Sequence, residues 1–90
     1  MDQQQERIQA DLRGMLQGDV LVDDVACQLY ASDASIFEVR PLAVVRPRGT
    51  KDVVATVEYA RNEGIPIHPR GAGTGLAGES LGQGMVIDFS

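Results

Sequence analysis

Apolar residues return at helical spacing from the start of the chain. Ile8, Leu12, Met15 and Leu16 stand at i, i+4, i+7 and i+8, the one-sided stripe of an amphipathic helix. The spacing predicts a helix over 2–17, with Gln and Arg on its other face and Gly18 as its stop. Val20-Leu21-Val22 is apolar but too short to assign. Asp23 or Asp24 can cap a second helix, whose apolar side would be Val25, Ala26, Leu29 and Tyr30. Ala31-Ser32-Asp33-Ala34-Ser35 is turn-like, with Ile36 and Phe37 as its anchor.

The second half changes period. Pro41-Leu42-Ala43-Val44-Val45-Arg46-Pro47 is a short β-branched run between prolines, the pattern of a strand buried on both faces. Pro47 ends it, since proline cannot donate to a ladder. Thr50 is the expected cap of a helix running to about Asn62, with Asp52 in the first turn at the positive end of the helix dipole. Val53, Val57 and Ala60, with Val54 beside them, are its expected buried stripe. Gly64 is the expected C-cap, with Pro66 following. Ile65-Pro66-Ile67-His68 and Gly84-Met85-Val86-Ile87-Asp88-Phe89 read as two further short strands. Strand, helix, strand makes a βαβ unit with a right-handed crossover.

Between the last two strands lies Pro69-Arg70-Gly71-Ala72-Gly73-Thr74-Gly75-Leu76-Ala77-Gly78. Gly71, Gly73, Gly75 and Gly78 let a chain curl so that several backbone N–H groups point into one concavity, a suitable receptor for a diphosphate. The plain alternative is a flexible connector. Rigid or apolar flanks on both sides weigh against it, as does the usual functional role of long loops in small domains. Gly73-Thr74-Gly75-Leu76-Ala77-Gly78 fits G-x-G-x-x-G. However, Gly82 and Gly84 follow too soon for a Rossmann helix, and Asp88 comes too early for the ribose carboxylate. No lysine follows Lys51, which excludes a Walker A loop and a kinase-type loop. What remains is a strand–loop–strand nest leaving the carboxyl end of a strand, where open α/β sheets take ligands. Thr74 and Ser80 hydroxyls can add donors, and Arg70 can add charge. The structural alternative for Arg70 is an ion pair with Glu79, Asp88 or a partner outside the chain.

Composition narrows the class. Ninety residues with 43% hydrophobic and 4% aromatic content make one small domain with an aliphatic core. A net charge of −5 with scattered arginines is a poor match for nucleic acid or an anionic membrane. Cys27 is the only cysteine, so the chain forms no internal disulfide or cysteine-ligated cluster, and a half-buried apolar role is expected of it. No metal site is expected. His68 reads as a strand-end histidine with a hydrogen-bonded partner. The polar N-terminus has no signal-peptide h-region, and no apolar run nears the roughly 20 residues of a membrane span. A cytoplasmic setting follows by default. There is no internal repeat, and the finish at Phe89-Ser90 reads as a truncation.

Taken together, Pro41–Pro47, the helix from Thr50, Gly64–Gly78 and Gly84–Asp88 resemble the start of the FAD-binding domain of the vanillyl-alcohol oxidase/p-cresol methylhydroxylase type. The likeness is greatest to its D-lactate dehydrogenase and glycolate-oxidase FAD-subunit branch. Tyr30-Ala31-Ser32-Asp33-Ala34-Ser35 resembles the segment before the first strand there. The resemblance implies an α/β (α+β) fold: a small βαβ-plus-strand subdomain with an N-terminal helix, the helix over 1–19 and the truncated subdomain over 20–90. It implies that the glycine loop wraps the FAD diphosphate, so that Arg70, Gly71, Ala72, Gly73, Thr74, Gly75 and Gly78 become cofactor residues. Relatives with covalent flavin carry a histidine where this chain has Gly73, which implies non-covalent FAD. The remainder of such a polypeptide would supply a second FAD subdomain and a cap domain with the catalytic residues. A 2-hydroxy acid would give hydride to the flavin, and electrons would pass to a quinone, a cytochrome or iron–sulphur modules, with peripheral membrane attachment as one setting for the whole protein. The isolated piece would be inactive and prone to self-association through its cut face. Two readings of other classes stand beside this one: a non-enzymatic nucleotide- or anion-binding module, and a protein-interaction domain using the Ile8/Leu12/Met15/Leu16 stripe.

Overall fold

Small aliphatic side chains build the centre of this fold. Ala43, Val44 and Val45 are buried without exception, and so are Met85, Val86 and Ile87. Both runs are strands, as β-branched residues on a doubly covered sheet favour. The computed structural model describes residues 3–30, 40–70 and 84–89. Along the chain these form α1 (Gln3–Arg13), β1 (Asp19–Leu21), α2 (Asp24–Leu29), β2 (Ala43–Arg46), α3 (Thr50–Glu63), β3 (Ile67–Arg70) and β4 (Met85–Asp88). The mixed α/β class expected from the sequence is the one observed.

The sheet order is β1-β2-β4-β3. β4 runs parallel to both β2 and β3, while β1 is antiparallel to β2. The expected strand–helix–strand unit exists, but its two strands are not neighbours, because the last strand inserts between them. Val20-Leu21, too short to assign by pattern, is the antiparallel edge. Met85 N donates to the Pro66 carbonyl at 2.9 Å and Phe89 N to the Arg70 carbonyl at 2.7 Å. Residues 66, 68 and 70 therefore turn their backbone groups toward β4, and Pro69 turns toward the open edge. A proline is tolerated there because it has no N–H to lose from the ladder. It also blunts that edge against pairing with another chain.

One face of the sheet carries α1 and α3. Ile8 and Leu12 join Val20, Val22, Leu42, Ala43, Val45, Ala60, Ile65 and Met85 in a single core. The two helices are also tied to each other. Arg7 pairs with Glu63 at 2.9 Å, and the Tyr59 hydroxyl donates to Asp11 at 2.8 Å. Burial, then this hydrogen bond, pushes the Tyr59 phenol up to about 12.

Helix α1 is shorter than its stripe suggests. It ends at Arg13, and Met15 lies outside it and exposed, while Ile8, Leu12 and the part-buried Leu16 face the core. Asp23 caps α2 through its carboxylate and Ala26 N, 3.1 Å apart. The buried side of α2 is Ala26 and Cys27, not the Val25/Leu29 side, which is 71% and 75% exposed. Cys27 is fully rather than half buried, and burial raises its thiol pKa.

Helix α3 departs from expectation at its start and on its face. Gly49, not Thr50, is the N-cap, and no side chain caps it. Asp52 reaches back instead. Its carboxylate accepts from Arg48 N at 2.9 Å, Gly18 N at 2.8 Å and Gln17 N at 3.0 Å, an extended form of the capping box that also fastens the turn before β1. The buried side of α3 is Asp52, Thr56 and Ala60, while Val54 is 50% exposed. Gly64 ends the helix as expected, in the left-handed conformation at φ 70, with Ile65 N donating to Ala60 O at 2.8 Å. This is the hydrogen-bonded terminus that glycine supports. The next strand starts at Ile67, two residues later than its pattern suggested.

The three amides, Arg48 first, hold the Asp52 carboxyl below its ordinary 3.8. A carboxyl with a depressed native pKa stabilises the fold above its unfolded pKa. That contribution is lost as pH falls through the native value. Urea midpoints of wild type and Asp52→Asn should therefore differ most near neutrality and converge as pH drops below 3.8. Parallel pH curves would contradict this.

Candidate functional site

Because β2, β4 and β3 are parallel, their carboxyl ends share one edge of the sheet. Arg46, Asp88 and Arg70 are the last residues of the three strands. Arg70 and Asp88 are direct register partners, so their side chains leave the same face of the sheet. An arginine and an aspartate so placed ordinarily pair. Here each of them contacts a third residue. The Tyr30 hydroxyl, at the end of α2, donates to Asp88 Oδ2. The Arg70 guanidinium lies over the Tyr30 ring, 5.6 Å from its centroid. Among the described residues, no carboxylate forms an ion pair with Arg70.

The electrostatics agree with that geometry. The hydrogen bond to Asp88, then burial, raises the Tyr30 phenol above its ordinary 10.0, and it stays a donor at neutral pH. Asp88 is buried. An aspartate in that setting is sustained by its hydrogen bonds. The guanidinium keeps its charge and a planar fork of N–H donors, the geometry that matches two oxygens of a phosphate. Arg46, exposed at the end of β2, adds a second positive charge to the edge. These residues fit an anionic group.

The amino end of β4 is built differently. A Cβ on Gly84 would lie 2.4 Å from the Pro66 carbonyl oxygen and 2.9 Å from His68 Nε2. Only glycine lets β3 and the His68 ring come this close. His68 Nε2 is buried and has no hydrogen-bond partner among the described residues, contrary to the partnered histidine expected from the sequence. A groove between α1 and α3, lined in part by Arg7, Ile8, Tyr59 and Glu63, contains none of the expected site residues.

Of those expected residues, Arg70 is placed at the carboxyl edge as the last residue of β3, not in the loop beyond a strand ending at His68 as the pattern suggests. The ion pair with Asp88 considered for it does not form. Gly71, Ala72, Gly73, Thr74, Gly75 and Gly78 lie outside the described residues, as do Ser80, Ile36 and Phe37. Sequence reasoning does not single out Tyr30 and Asp88, which the structure brings to Arg70. Tyr30 was counted as part of a helix's apolar side, and Asp88 as a counter-ion. No group of His, Cys, Asp or Glu among the described residues can hold a metal ion. No helix among them is long and apolar enough to cross a membrane.

The parallel-stranded edge ends at Arg70, and the glycine-rich stretch of the sequence begins at the next residue. Residues 41–90 match the family described as FAD binding domain. The chain belongs to that family, and its cofactor is FAD. It is 41% identical over 63 residues to D-2-hydroxyglutarate dehydrogenase of Escherichia coli (strain K12), a stretch covering 67% of this chain and 6% of that protein. The protein of the same name from Pseudomonas putida is 38% identical over 76 residues, 81% of this chain and 8% of the relative. The one from Haemophilus influenzae is 29% identical over 86 residues, 77% of this chain and 8% of the relative. The chain thus spans less than a tenth of the length of these relatives.

Proposed function

We propose that this chain forms the diphosphate-binding part of the FAD site in a flavin-dependent dehydrogenase of 2-hydroxy acids. The observation that carries the reading is the placement of Arg70. It closes β3 at the carboxyl edge, directly before Gly71, with no carboxylate of the described residues pairing with it. Gly71, Ala72, Gly73, Thr74, Gly75 and Gly78 follow as backbone donors by their position in the family pattern. In this reading residues 1–19 are the N-terminal segment that carries α1, residues 20–90 form the cofactor-binding subdomain, and a second FAD subdomain and a cap domain belong to the remainder of the polypeptide. Gly73, where covalent relatives carry a histidine, supports non-covalent attachment.

FAD, when bound, supplies the hydride-accepting chemistry. The residues of this chain bind and orient it. Arg70 would contact the diphosphate, and the pairing of β3 with β4 would hold that arginine at the carboxyl edge. The dehydrogenase name of the relatives supports a 2-hydroxy acid substrate, with D-2-hydroxyglutarate ahead of lactate and glycolate.

The test is FAD binding to the full-length apoprotein. Arg70→Leu should weaken it about tenfold, or about 1.4 kcal/mol, close to the lower limit for a hydrogen bond to a charged group. Anaerobic bleaching of the flavin by D-2-hydroxyglutarate, D-lactate and glycolate then ranks the substrates. Unchanged affinity in Arg70→Leu would remove the proposed role of the arginine. Absence of bleaching by every 2-hydroxy acid would remove the proposed reaction.

A further inference from the structure

The side chains at the carboxyl edge are arranged in an order their charges alone would not produce. Arg70 and Asp88 are register partners on adjacent strands, and contact between them would spend the guanidinium on an internal ion pair. Both residues engage Tyr30 instead. Its hydroxyl donates to Asp88 Oδ2, and its ring face receives the guanidinium at 5.6 Å, inside the range of about 6 Å for attraction between a cation and an aromatic face. The ring offers no oxygen that would compete for the N–H fork. The backbone on either side is fixed as well. Arg70 O accepts from Phe89 N at 2.7 Å, which locks the ends of β3 and β4 together. Tyr30 follows α2, whose start is capped by Asp23.

We propose that Tyr30 is a positioning residue for the cofactor: pinned by Asp88, its ring carries the Arg70 guanidinium and keeps the N–H donors directed at the diphosphate oxygens of FAD. The inference rests on the reading of Arg70 given above. It adds a residue 40 positions away in sequence, on another element, that acts on FAD only through that arginine. A side chain held in its binding geometry before the ligand arrives loses less rotamer freedom on binding, and preorganisation raises affinity in this way.

The experiment is a double-mutant cycle on FAD affinity, measured by flavin fluorescence on the full-length apoprotein. The variants are Tyr30→Leu, Arg70→Leu and the pair together, with Tyr30→Phe beside them. Tyr30→Leu should weaken FAD about fivefold, in keeping with a cation–aromatic contact. In the Arg70→Leu background the same change should cost less than about twofold, because the group it acts through is gone. Tyr30→Phe keeps the ring and should stay within about threefold of wild type.

A merely structural role for Tyr30 would make the two losses multiply, and that result overturns the inference. So does a Tyr30→Leu protein that binds FAD like wild type while Arg70→Leu does not. If Arg70→Leu itself binds FAD normally, the proposed role of the arginine fails, and this inference fails with it. Should Tyr30→Leu not fold, Tyr30→Phe and Tyr30→Trp decide. Both retain an aromatic face, and a loss as large as that of Arg70→Leu in either would overturn the proposal.

Discussion

Gly84→Ala should destabilise the chain by about 1–3 kcal/mol, the usual cost of forcing an extra group into a packed interior. The added methyl would sit 2.4 Å from the carbonyl oxygen of Pro66. That oxygen belongs to backbone and accepts from Met85 N at 2.9 Å, so it cannot turn aside as a side chain can. Relief requires β3 to move from β4, which breaks the first hydrogen bond of their ladder. The second close contact is with the His68 ring, 2.9 Å from Nε2, and a ring can rotate. Gly84→Ala/His68→Ala should therefore recover only a minor share of the loss. Urea denaturation of the single and double variants measures both quantities. Full recovery in the double variant would place the strain in the ring and refute a backbone origin. The position also bears on the proposed cofactor site, since β4 ends at Asp88, which accepts from Tyr30.

Strand positions were legible where burial is two-sided. Ala43-Val44-Val45 and Met85-Val86-Ile87 are continuous apolar runs, and both are central parallel strands. Helix ends were legible where a residue acts locally, as Asp23 and Gly64 do. The buried face of α3 was not. Hydrophobic periodicity assigns Val53 and Val57 to the interior and polar neighbours to solvent. Asp52 and Thr56 reverse that rule because their polar atoms are satisfied inside. Asp52 is held by three amides, and the Thr56 hydroxyl donates to Asp52 O at 2.7 Å. Two of those amides belong to Gln17 and Gly18, far away in sequence, so no local pattern contains them. The sheet order was hidden for a similar reason. A βαβ reading makes consecutive strands neighbours, and nothing in Ile67–Arg70 or Met85–Asp88 says that the later strand inserts between the earlier two.

The site divides along the same line. Arg70 is legible as a candidate because it adjoins the glycine run, a property of neighbouring residues. Tyr30 and Asp88 lie 58 positions apart, and each has an ordinary explanation in its own segment. Only the parallel register, which sets Asp88 beside Arg70, brings the three together.

Leu12→Ala should cost about 2–5 kcal/mol, the range for truncating a fully buried leucine. Leu12 is 0% exposed and meets residues of β1, β2 and α3 in the one core cluster. Native domains have total stabilities of about 5–15 kcal/mol, so this single change should remove a large share of the total. The control is Met15→Ala. Both residues belong to the stripe read from the sequence, but Met15 is 51% exposed and outside α1, and its truncation should stay within about 0.5 kcal/mol. The pair therefore tests which residues of the stripe are core. It also tests whether α1 is part of the FAD-binding subdomain's own interior. If α1 were an appendage, urea unfolding followed at the sheet would not respond to Leu12→Ala. If its stripe were a docking surface for a partner, Met15 and Leu12 would respond alike in partner binding and little in stability. The packing of Ile8 and Leu12 against Val20, Ala43 and Met85 requires the opposite: a large loss of sheet stability from Leu12→Ala and almost none from Met15→Ala.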